Sequence, residues 1–395
     1  LSIIKEIIPI NMHEIPSGTK VFDWTIPKEW NIYDAYIKDE KGQRIIDFKK
    51  SNLHVVNYSS PISGEFSLGE LKKNIYTIPK QPDLIPYITS YYKERWGFCM
   101  SQKQLDALKE ANYKVKIDSK LEQGYLSYAD MIIPGKSKKE ILISTYICHP
   151  SMANNELSGP IVSMGLINYF KKKRLSKTVR FLFIPETIGS IVYLSKNVSH
   201  LKEHVIGGYN LSCIGDNRQH SCMLSKYENS PSDEALLKAY KKLKINKYKI
   251  YSFLRRGSDE RQYNSPGMDL KITSIFRTKY HEYPEYHTSL DNFNVVTLKG
   301  LTGGFKVAKK AIEILQDTIY PKYKVLCEPQ FIKRKLYPHL SIKNNKKDFI
   351  KNYKNFLQYS DGTNSLEKIS RLIKLNFKNV KNINKNFKRL NLIEN

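Results

Sequence analysis

The sequence contains 395 residues, enough for two or three domains of ordinary size. It contains no apolar run approaching the ~20 residues that a bilayer-spanning helix needs, so we predict no membrane span. Its five cysteines are scattered and form no CxxC pair, which argues against a disulfide framework and against a cysteine-based zinc cluster.

The charge balance is strongly basic, with 65 Lys and Arg against 38 Asp and Glu, a formal net charge of +27. A field of this size attracts nucleic acid and phosphates. The lysines are nevertheless spread along the whole chain among many Asn, Ile and Tyr residues. We therefore interpret most of them as solvated surface.

The amino-terminal segment LSIIKEIIPI is predicted to be part of a helix. It lacks the basic leader and small-residue cleavage site of a secretory signal. Together with the cysteine pattern, this predicts a reduced, cytoplasmic location.

The first third of the chain is predicted to form short strands and a small α+β module. Residues 19–60 alternate apolar and polar positions, interrupted by Pro27 and by the Lys41-Gly42 turn. Residues 84–135 combine a Tyr- and Trp-rich patch, the helix-like SQKQLDALKEA and further strands.

The pattern changes near residue 139 to strands alternating with helices. The predicted order is strand EILISTYIC, a helix from about Pro160, strands VRFLFIPE and YNLSCIGD, helix DEALLKAYKKL, strand LKITSIF and helix GLTGGFKVAKKAIEIL. Strands this continuously apolar predict a mostly parallel α/β sheet with helices on both faces.

Polar residues follow these strands, where the chemistry of a parallel sheet is located. His149, Glu186 and Asp216 each come directly after an apolar run, and the loops GSDERQY (257–263) and YHTSLDN (286–292) surround the last strand. Any one of them is as readily a turn residue at a strand end. Five polar groups that all follow or surround the predicted strands together indicate a functional site.

The last 60 residues are predicted to form a winged helix. Asn364 with Glu367 is a capping-box-like start for EKISRLI, and Val380, Ile383 and Phe387 recur at helical spacing before a terminal strand. The excess of positive charge makes DNA contact one reading. Because no base-reading motif is visible, we favour a packing or protein-docking role.

The residues after the strands are of the types that hold a catalytic metal. A catalytic zinc usually has three His, Asp or Glu ligands and one open position. His149, a group near 155, Glu186 or Asp216, and His287 could supply such a set. A neighbouring glutamate would take a proton from water activated by the metal, which predicts hydrolysis of an amide or ester.

These motifs resemble the zinc-dependent exopeptidases of the M28 aminopeptidase superfamily, which also includes glutaminyl cyclases. In that superfamily a strand-end His is followed by G-A-x-D-x-x-S-G, whose Asp bridges two metals. Here the segment ANNELSG (153–159) takes that place, so the bridging position is Asn155. A neutral amide holds two cations poorly, which implies one zinc ion per chain.

The resemblance also implies roles for later residues. The superfamily has a Glu-Glu pair, a base and then a ligand, where this chain keeps only Glu186. The acidic ligand at the next strand end would fall at Ser212 or Asp216, and we favour Asp216. Tyr286-His287 with Asp291 matches the closing Y-H-x-x-x-D.

The strings VFDWTIPKEWNIYDAYI, PYITSYYKERWGFC, PETIGSI and YPEYHTSLDN are similar to bacterial aminopeptidase-like proteins of polysaccharide biosynthesis. This resemblance spans essentially the whole chain. It implies a zinc-exopeptidase-like domain at 1–35 and 125–330, an inserted small α+β, lid-like domain at 36–124, and a winged helix at 335–395. It also implies that Glu260 reaches the pocket as a second catalytic carboxylate beside Glu186.

Substrate contacts are predicted at Arg256, Arg261 and Tyr286. Guanidinium groups bind carboxylate and phosphate in a bidentate way, although a surface location is an equally good reading of the arginines. The substrate is expected to be a small molecule or peptide with an amide bond. The sequence leaves homo-oligomerisation open.

Three functions therefore stand beside one another. The leading hypothesis is a zinc-dependent hydrolase of a peptide bond or an N-acyl amino sugar. The second is a peptidase-like binding scaffold that has lost catalysis with its bridging Asp. The third is a DNA-associated regulator built on the winged helix.

Overall fold

The computed structural model describes residues 1–91, 93–334, 336 and 347–394. It divides into two compact units, Leu1–Ala311 and Ile312–Asn395. None of the helices in the described ranges combines the length and apolar character needed to cross a bilayer.

The strands are, in chain order, β1 (Asn11–Pro16), β2 (Lys20–Val21), β3 (Trp24–Thr25), β4 (Glu29–Lys38), β5 (Arg44–Asp47), β6 (Ile62–Ser67), β7 (Ile75–Tyr76), β8 (Phe98–Cys99), β9 (Asn112–Glu122), β10 (Tyr125–Ile133), β11 (Gly135–Tyr146), β12 (Leu175–Ile184), β13 (Val205–Leu211), β14 (Ser221–Met223), β15 (Lys249–Tyr251), β16 (Ile272–Phe276), β17 (Lys322–Tyr323) and β18 (Ile393–Glu394).

The α-helices are α1 (Ser2–Ile7), α2 (Leu68–Lys72), α3 (Gln102–Asp106), α4 (Ser158–Phe170), α5 (Ile188–His204), α6 (Pro231–Lys242), α7 (Glu260–Tyr263), α8 (Leu298–Asp317), α9 (Lys347–Gln358), α10 (Leu366–Leu372) and α11 (Phe377–Arg389).

An eight-stranded sheet in the order β1-β10-β12-β11-β13-β16-β14-β15 organises the first unit. Its centre is parallel, because β11 pairs in parallel with β12 and β13, and β13 with β16. Strands β1, β10 and β14 pair antiparallel with their neighbours in the order β1-β10-β12 and β14-β16. The predicted mostly parallel α/β class is confirmed.

The central strands are covered on both faces. Every residue from 140 to 146 in β11 is buried, although successive side chains point to opposite sides of the sheet. Helices α4, α5 and α6 pack against these strands. Because the strands run in the same direction, the loops after β11, β12, β13 and β16 meet at one edge.

A separate four-stranded antiparallel sheet, β5-β4-β9-β6, lies within the first unit and spans residues 29–122. It has its own core, which includes Ala35, Ile37, Phe98 and Val115. We call this part the insert; the boundaries of 36–124 predicted for it stay a prediction.

The second unit contains α9, α10, α11 and a two-stranded antiparallel sheet in which β17 pairs with β18. Its core includes Phe356, Ile369, Val380 and Phe387. The domain predicted at 335–395 begins in a segment that is largely outside the described residues.

Candidate active site

The end of β11 brings His149 to the edge of the sheet. The strand stops at Tyr146, and the His149 backbone N–H donates to Glu156 Oε2 at 2.9 Å. The following segment, Ala153–Leu157, forms a π-helical turn before α4. Asp291 fixes that turn by accepting from the backbone N–H groups of Asn154 (2.6 Å) and Asn155 (3.0 Å).

His287 lies beside His149, as the strand-end argument predicts. The two imidazole centroids are 5.2 Å apart, at an interplanar angle of 40°. Tyr286 stacks on His287 at 3.9 Å, and Tyr87 packs against both histidines. The backbone at His287 has φ +55°, an uncommon conformation that persists only where the surroundings hold it.

The pKa values of the two histidines shift in opposite directions. Burial alone lowers the pKa of His149, but Cys148 together with the carboxylates of Glu156 and Glu186 outweighs it and raises that pKa well above the usual value. Burial, followed by the nearby His149, lowers the pKa of His287 to about 3. His287 is therefore neutral and keeps a lone pair for a ligand at physiological pH.

Glu186 reaches the same place from the end of β12. Its Oε2 is 3.7 Å from His149 Nε2, and its Oε1 accepts the Ser258 hydroxyl at 2.5 Å. Burial raises the pKa of Glu186, while His149 and Ser258 oppose that shift. The next residue, Thr187, has φ +66°, and its N–H donates to Asp259 Oδ1 at 2.8 Å.

Asn155 is buried at the predicted bridging position. Its Oδ1 accepts the Tyr146 hydroxyl at 3.0 Å, whereas its Nδ2 has no partner among the described residues. The Cys213 thiol also donates to this oxygen, at 3.7 Å. In the opposite amide orientation the Tyr146 hydroxyl would accept from Nδ2, since a hydroxyl can donate or accept. That orientation turns the amide oxygen toward the position that has no partner.

The buried Ser212 Oγ and His287 Nε2 also lack partners within the described ranges. Buried polar atoms are nearly always paired with protein, water or an ion. The unpaired atoms on Asn155 and His287, and on Ser212 at the alternative ligand position, therefore indicate a place for a ligand or ion.

The structure corrects the metal role predicted for Asp216. Its carboxylate accepts from the backbone N–H and hydroxyl of Thr278, at 2.8 and 2.7 Å, from the Arg218 N–H at 2.9 Å and from Asn154 Nδ2 at 3.3 Å. Both carboxylate oxygens therefore accept hydrogen bonds that connect different loops. Asp216 stabilises the site's surroundings and offers no free oxygen to a cation.

The same reasoning corrects the catalytic role predicted for Glu260. Its Oε1 accepts from the N–H groups of Gly257 and Ser258 and from the Tyr280 hydroxyl, and its Oε2 accepts from Asn210 and Ser274. Five donors to a fully buried carboxylate fix the loop that carries Ser258. They leave no oxygen to shuttle a proton.

Of the three residues predicted to contact substrate, two lie at the site and one does not. Arg261 Nη2 donates to Thr187 Oγ1 at 2.5 Å, and its charge lowers the pKa of Glu186, so it is next to the site. Arg256 is exposed, and its guanidinium packs over the Phe253 ring. Tyr286 is in contact with His287. The structure therefore brings Arg261 and Tyr286 to the site and leaves Arg256 on the surface.

A cavity of about 260 Å³ opens beside His149 and Glu186. Part of its wall comes from the insert, including Trp30, Tyr58 and Tyr91. Sequence reasoning missed these residues as part of the site. The only available signal was the clustering of aromatic residues in this part of the chain.

Zinc is usually held by His, Cys, Asp or Glu side chains, and the site offers His149 and His287 as such donors. The unpaired Nε2 of neutral His287 can bind a cation, and an amide oxygen of Asn155 would be a weaker, uncharged ligand. The other two ligand positions implied by the superfamily hold Thr187 and Ser212, which are poor ligands for a second ion.

Glu156 completes the surroundings of His149. Its carboxylate, His149 Nδ1 and Cys148 Sγ lie within 4.8 Å of one another, and the Glu156–His149 distance is 3.1 Å. A carboxylate on one ring nitrogen is the usual way to orient a histidine that binds metal through the other nitrogen. Sequence analysis did not single out Glu156.

The sheet order and the strand-end site define the protein as one with the α/β fold of zinc aminopeptidases. A zinc aminopeptidase from Bacillus subtilis has a TM-score of 0.58 at 14% identity, covering 79% of this chain and 86% of that one. A peptidase M28 precursor from Shewanella amazonensis has a TM-score of 0.53 at 11% identity, covering 80% and 87%. These similarities establish the fold alone.

The chain belongs to the family described as a domain of unknown function (DUF4910), whose model matches residues 1–318. A winged helix-turn-helix model matches residues 318–395. A "Putative polysaccharide biosynthesis protein with aminopeptidase-like domain" from Clostridium acetobutylicum is 42% identical over 338 residues, 85% of this chain and 77% of its own. The predicted resemblance and the winged helix are confirmed.

A crystal structure described as a "putative peptidase" from Clostridium acetobutylicum is also similar to this chain. Its TM-score is 0.79 at 39% identity, over 100% of this chain and 90% of that one.

Proposed function

We propose that the chain is a metal-dependent hydrolase of amide bonds that acts in the cytoplasm on an intermediate of surface-polysaccharide synthesis. The observation that supports this most is the buried Nε2 of His287, which has no partner among the described residues although it lies beside His149. A neutral imidazole held in this way is suited to bind a cation.

In this proposal His149, His287 and Asn155 would hold one zinc ion. When bound, the ion would act as a Lewis acid toward the amide carbonyl. Glu156 orients His149, and the Tyr286 and Tyr87 rings hold His287 in place. These contacts keep the two imidazoles fixed before the substrate arrives.

Glu186 is the proposed proton carrier. Its burial raises its pKa, which makes the carboxylate a stronger base, and the Ser258 hydroxyl holds one oxygen in place. Glu186 takes a proton from the water that attacks the carbonyl carbon. It then gives that proton to the nitrogen as the C–N bond breaks, which leaves a carboxylic acid and an amine.

Metal analysis of the protein purified without chelator tests the proposal. We expect about one zinc per chain, lost in His149→Ala and His287→Ala and kept in His204→Ala, a histidine of α5 outside the site. Glu186→Gln should keep the metal and lose at least ~100-fold in hydrolysis of amide substrates.

Two results would contradict the hydrolase. Protein that binds no zinc, even when zinc is supplied, would favour the binding scaffold. Full activity in Glu186→Gln would remove Glu186 from the chemistry.

A further inference from the structure

The cavity beside the catalytic residues has an aromatic wall that the proposed chemistry does not use. Trp30 belongs to β4, and Tyr58 and Tyr91 come from loops of the insert. His149 and Glu186 line the same cavity. We call the three aromatic residues the platform.

The platform is held in a defined arrangement. Trp30 Nε1 donates to the Ser59 carbonyl at 2.9 Å, which fixes the indole. Its ring stacks on Tyr58 with centroids 5.9 Å apart and planes 18° apart, and Tyr91 packs against Tyr58 at 5.9 Å. Tyr58 has φ +66°, a conformation that is unfavourable for a tyrosine. The fold thus maintains a strained residue to place this ring.

Polar groups lie around the platform. Asn57 and Glu29 line the same cavity. Asn57 Nδ2 donates to the Tyr87 hydroxyl at 3.4 Å, and Glu29 accepts the Tyr125 backbone N–H at 3.2 Å. Each keeps an amide or carboxylate oxygen that can accept further hydrogen bonds. Aromatic rings and planar polar groups therefore line the same cavity.

This combination matches a sugar ring. A pyranose presents C–H groups that pack on an aromatic face, and hydroxyls around its edge that bind side-chain amides and carboxylates. A cavity of about 260 Å³ is also slightly below the size of a drug-sized ligand site. A peptide would instead be expected to use main-chain hydrogen bonds along an extended backbone.

We infer that the platform binds the ring of an N-acylated amino sugar, with its acyl amide directed at His149 and Glu186. This inference rests on the proposed function and selects one of its two substrate classes. Water adds to the acyl carbon and the C–N bond breaks. The products are a carboxylate and the free amino sugar.

Binding measured without catalysis tests the inference. Metal-depleted Glu186→Gln protein is titrated by calorimetry with methyl glycosides of N-acetylglucosamine and N-acetylgalactosamine, and with N-acetyl-leucinamide as a peptide analogue. We expect at least one glycoside to bind more tightly than the peptide analogue. Trp30→Ala and Tyr91→Ala should each weaken glycoside binding about five- to tenfold. Trp30→Phe should weaken it less, because an aromatic ring is retained.

Tyr33→Ala is the matched control, since Tyr33 is an exposed tyrosine on β4, and Trp30→Phe guards against loss of folding. Glycoside binding unchanged in Trp30→Ala and Tyr91→Ala, or tighter binding of the peptide analogue, would overturn the inference.

The two proposals fail differently. If the platform binds glycosides but zinc-loaded wild-type protein hydrolyses nothing, the hydrolase proposal is refuted and the platform inference stands. If the protein hydrolyses peptides but not N-acyl amino sugars, the platform inference is refuted and the hydrolase proposal stands.

Discussion

Asn155 is the residue in which this chain departs most clearly from the two-metal pattern of the superfamily. An amide supplies an oxygen ligand without a charge, so it holds a divalent cation more weakly than a carboxylate does. A neutral side chain at 155 also avoids adding a further negative charge to a buried site that already contains Glu156 and Asp291.

Asn155→Asp should therefore bind zinc at least about tenfold more tightly than the wild type, since the new carboxylate lies at the proposed ligand position. Without metal the same variant should be less stable, because a further carboxylate is buried beside Glu156 and Asp291 without a counter-ion. Competition with a chelating dye measures the affinity. Asn294→Asp adds the same charge at an exposed position and should leave zinc affinity unchanged; an equal effect of both variants would refute a ligand role for Asn155.

The sequence was sufficient to bring His149 and His287 together, because the strand-end rule depends only on the order of strands. It was insufficient for Asp216 and Glu260. A sequence shows a carboxylate but not its hydrogen-bond donors, and these two are saturated by residues from several loops. The aromatic platform could not be predicted from the sequence for another reason. Trp30 and His149 are far apart in the chain, and no periodicity links them.

At the scale of elements, the long central strands could be predicted and the edges of the sheet could not. Strands β11 and β12 have mostly apolar, buried runs because both faces are covered, with Arg180 the charged exception in the buried part of β12. Strands β14 and β15 have three residues each, too few for a recognisable pattern. The sheet therefore extends further than the sequence indicates.

The close approach of β11 and β13 depends on Gly208. A Cβ at this position would overlap the carbonyl oxygen and backbone of Leu142 in β11. Gly208→Ala should therefore push the two strands apart and lower the free energy of unfolding by about 3 kcal/mol or more. Chemical denaturation followed by circular dichroism measures the change.

Gly69 in α2 provides the contrast, because an added Cβ there meets nothing within 4 Å among the described residues. Gly69→Ala should be neutral or stabilise by up to ~1 kcal/mol. Equal stabilities of the two variants would show that the β11–β13 spacing can relax at little cost.

On the scale of the whole molecule, the positive charge is most concentrated on one helix of the second unit. Helix α11 contains no acidic residue. Its exposed side is basic and comprises Lys378, Lys381, Lys385, Lys388 and Arg389. Its opposite side packs Val380, Ile383 and Phe387 into the core. Such a surface contacts phosphates by charge, but charge alone does not read bases.

We therefore expect the full-length protein to bind duplex DNA weakly and without sequence preference. If the basic side of α11 neutralises about four phosphates, raising the salt concentration from about 50 to about 200 mM should weaken binding roughly a hundredfold. Fluorescence anisotropy with two unrelated duplexes measures both effects. Lys381→Glu with Lys385→Glu should abolish the binding, whereas Lys299→Glu with Lys306→Glu, on exposed positions of α8, should leave most of it. A strong preference for one duplex that survives high salt would contradict this view and support a regulator that recognises sequence.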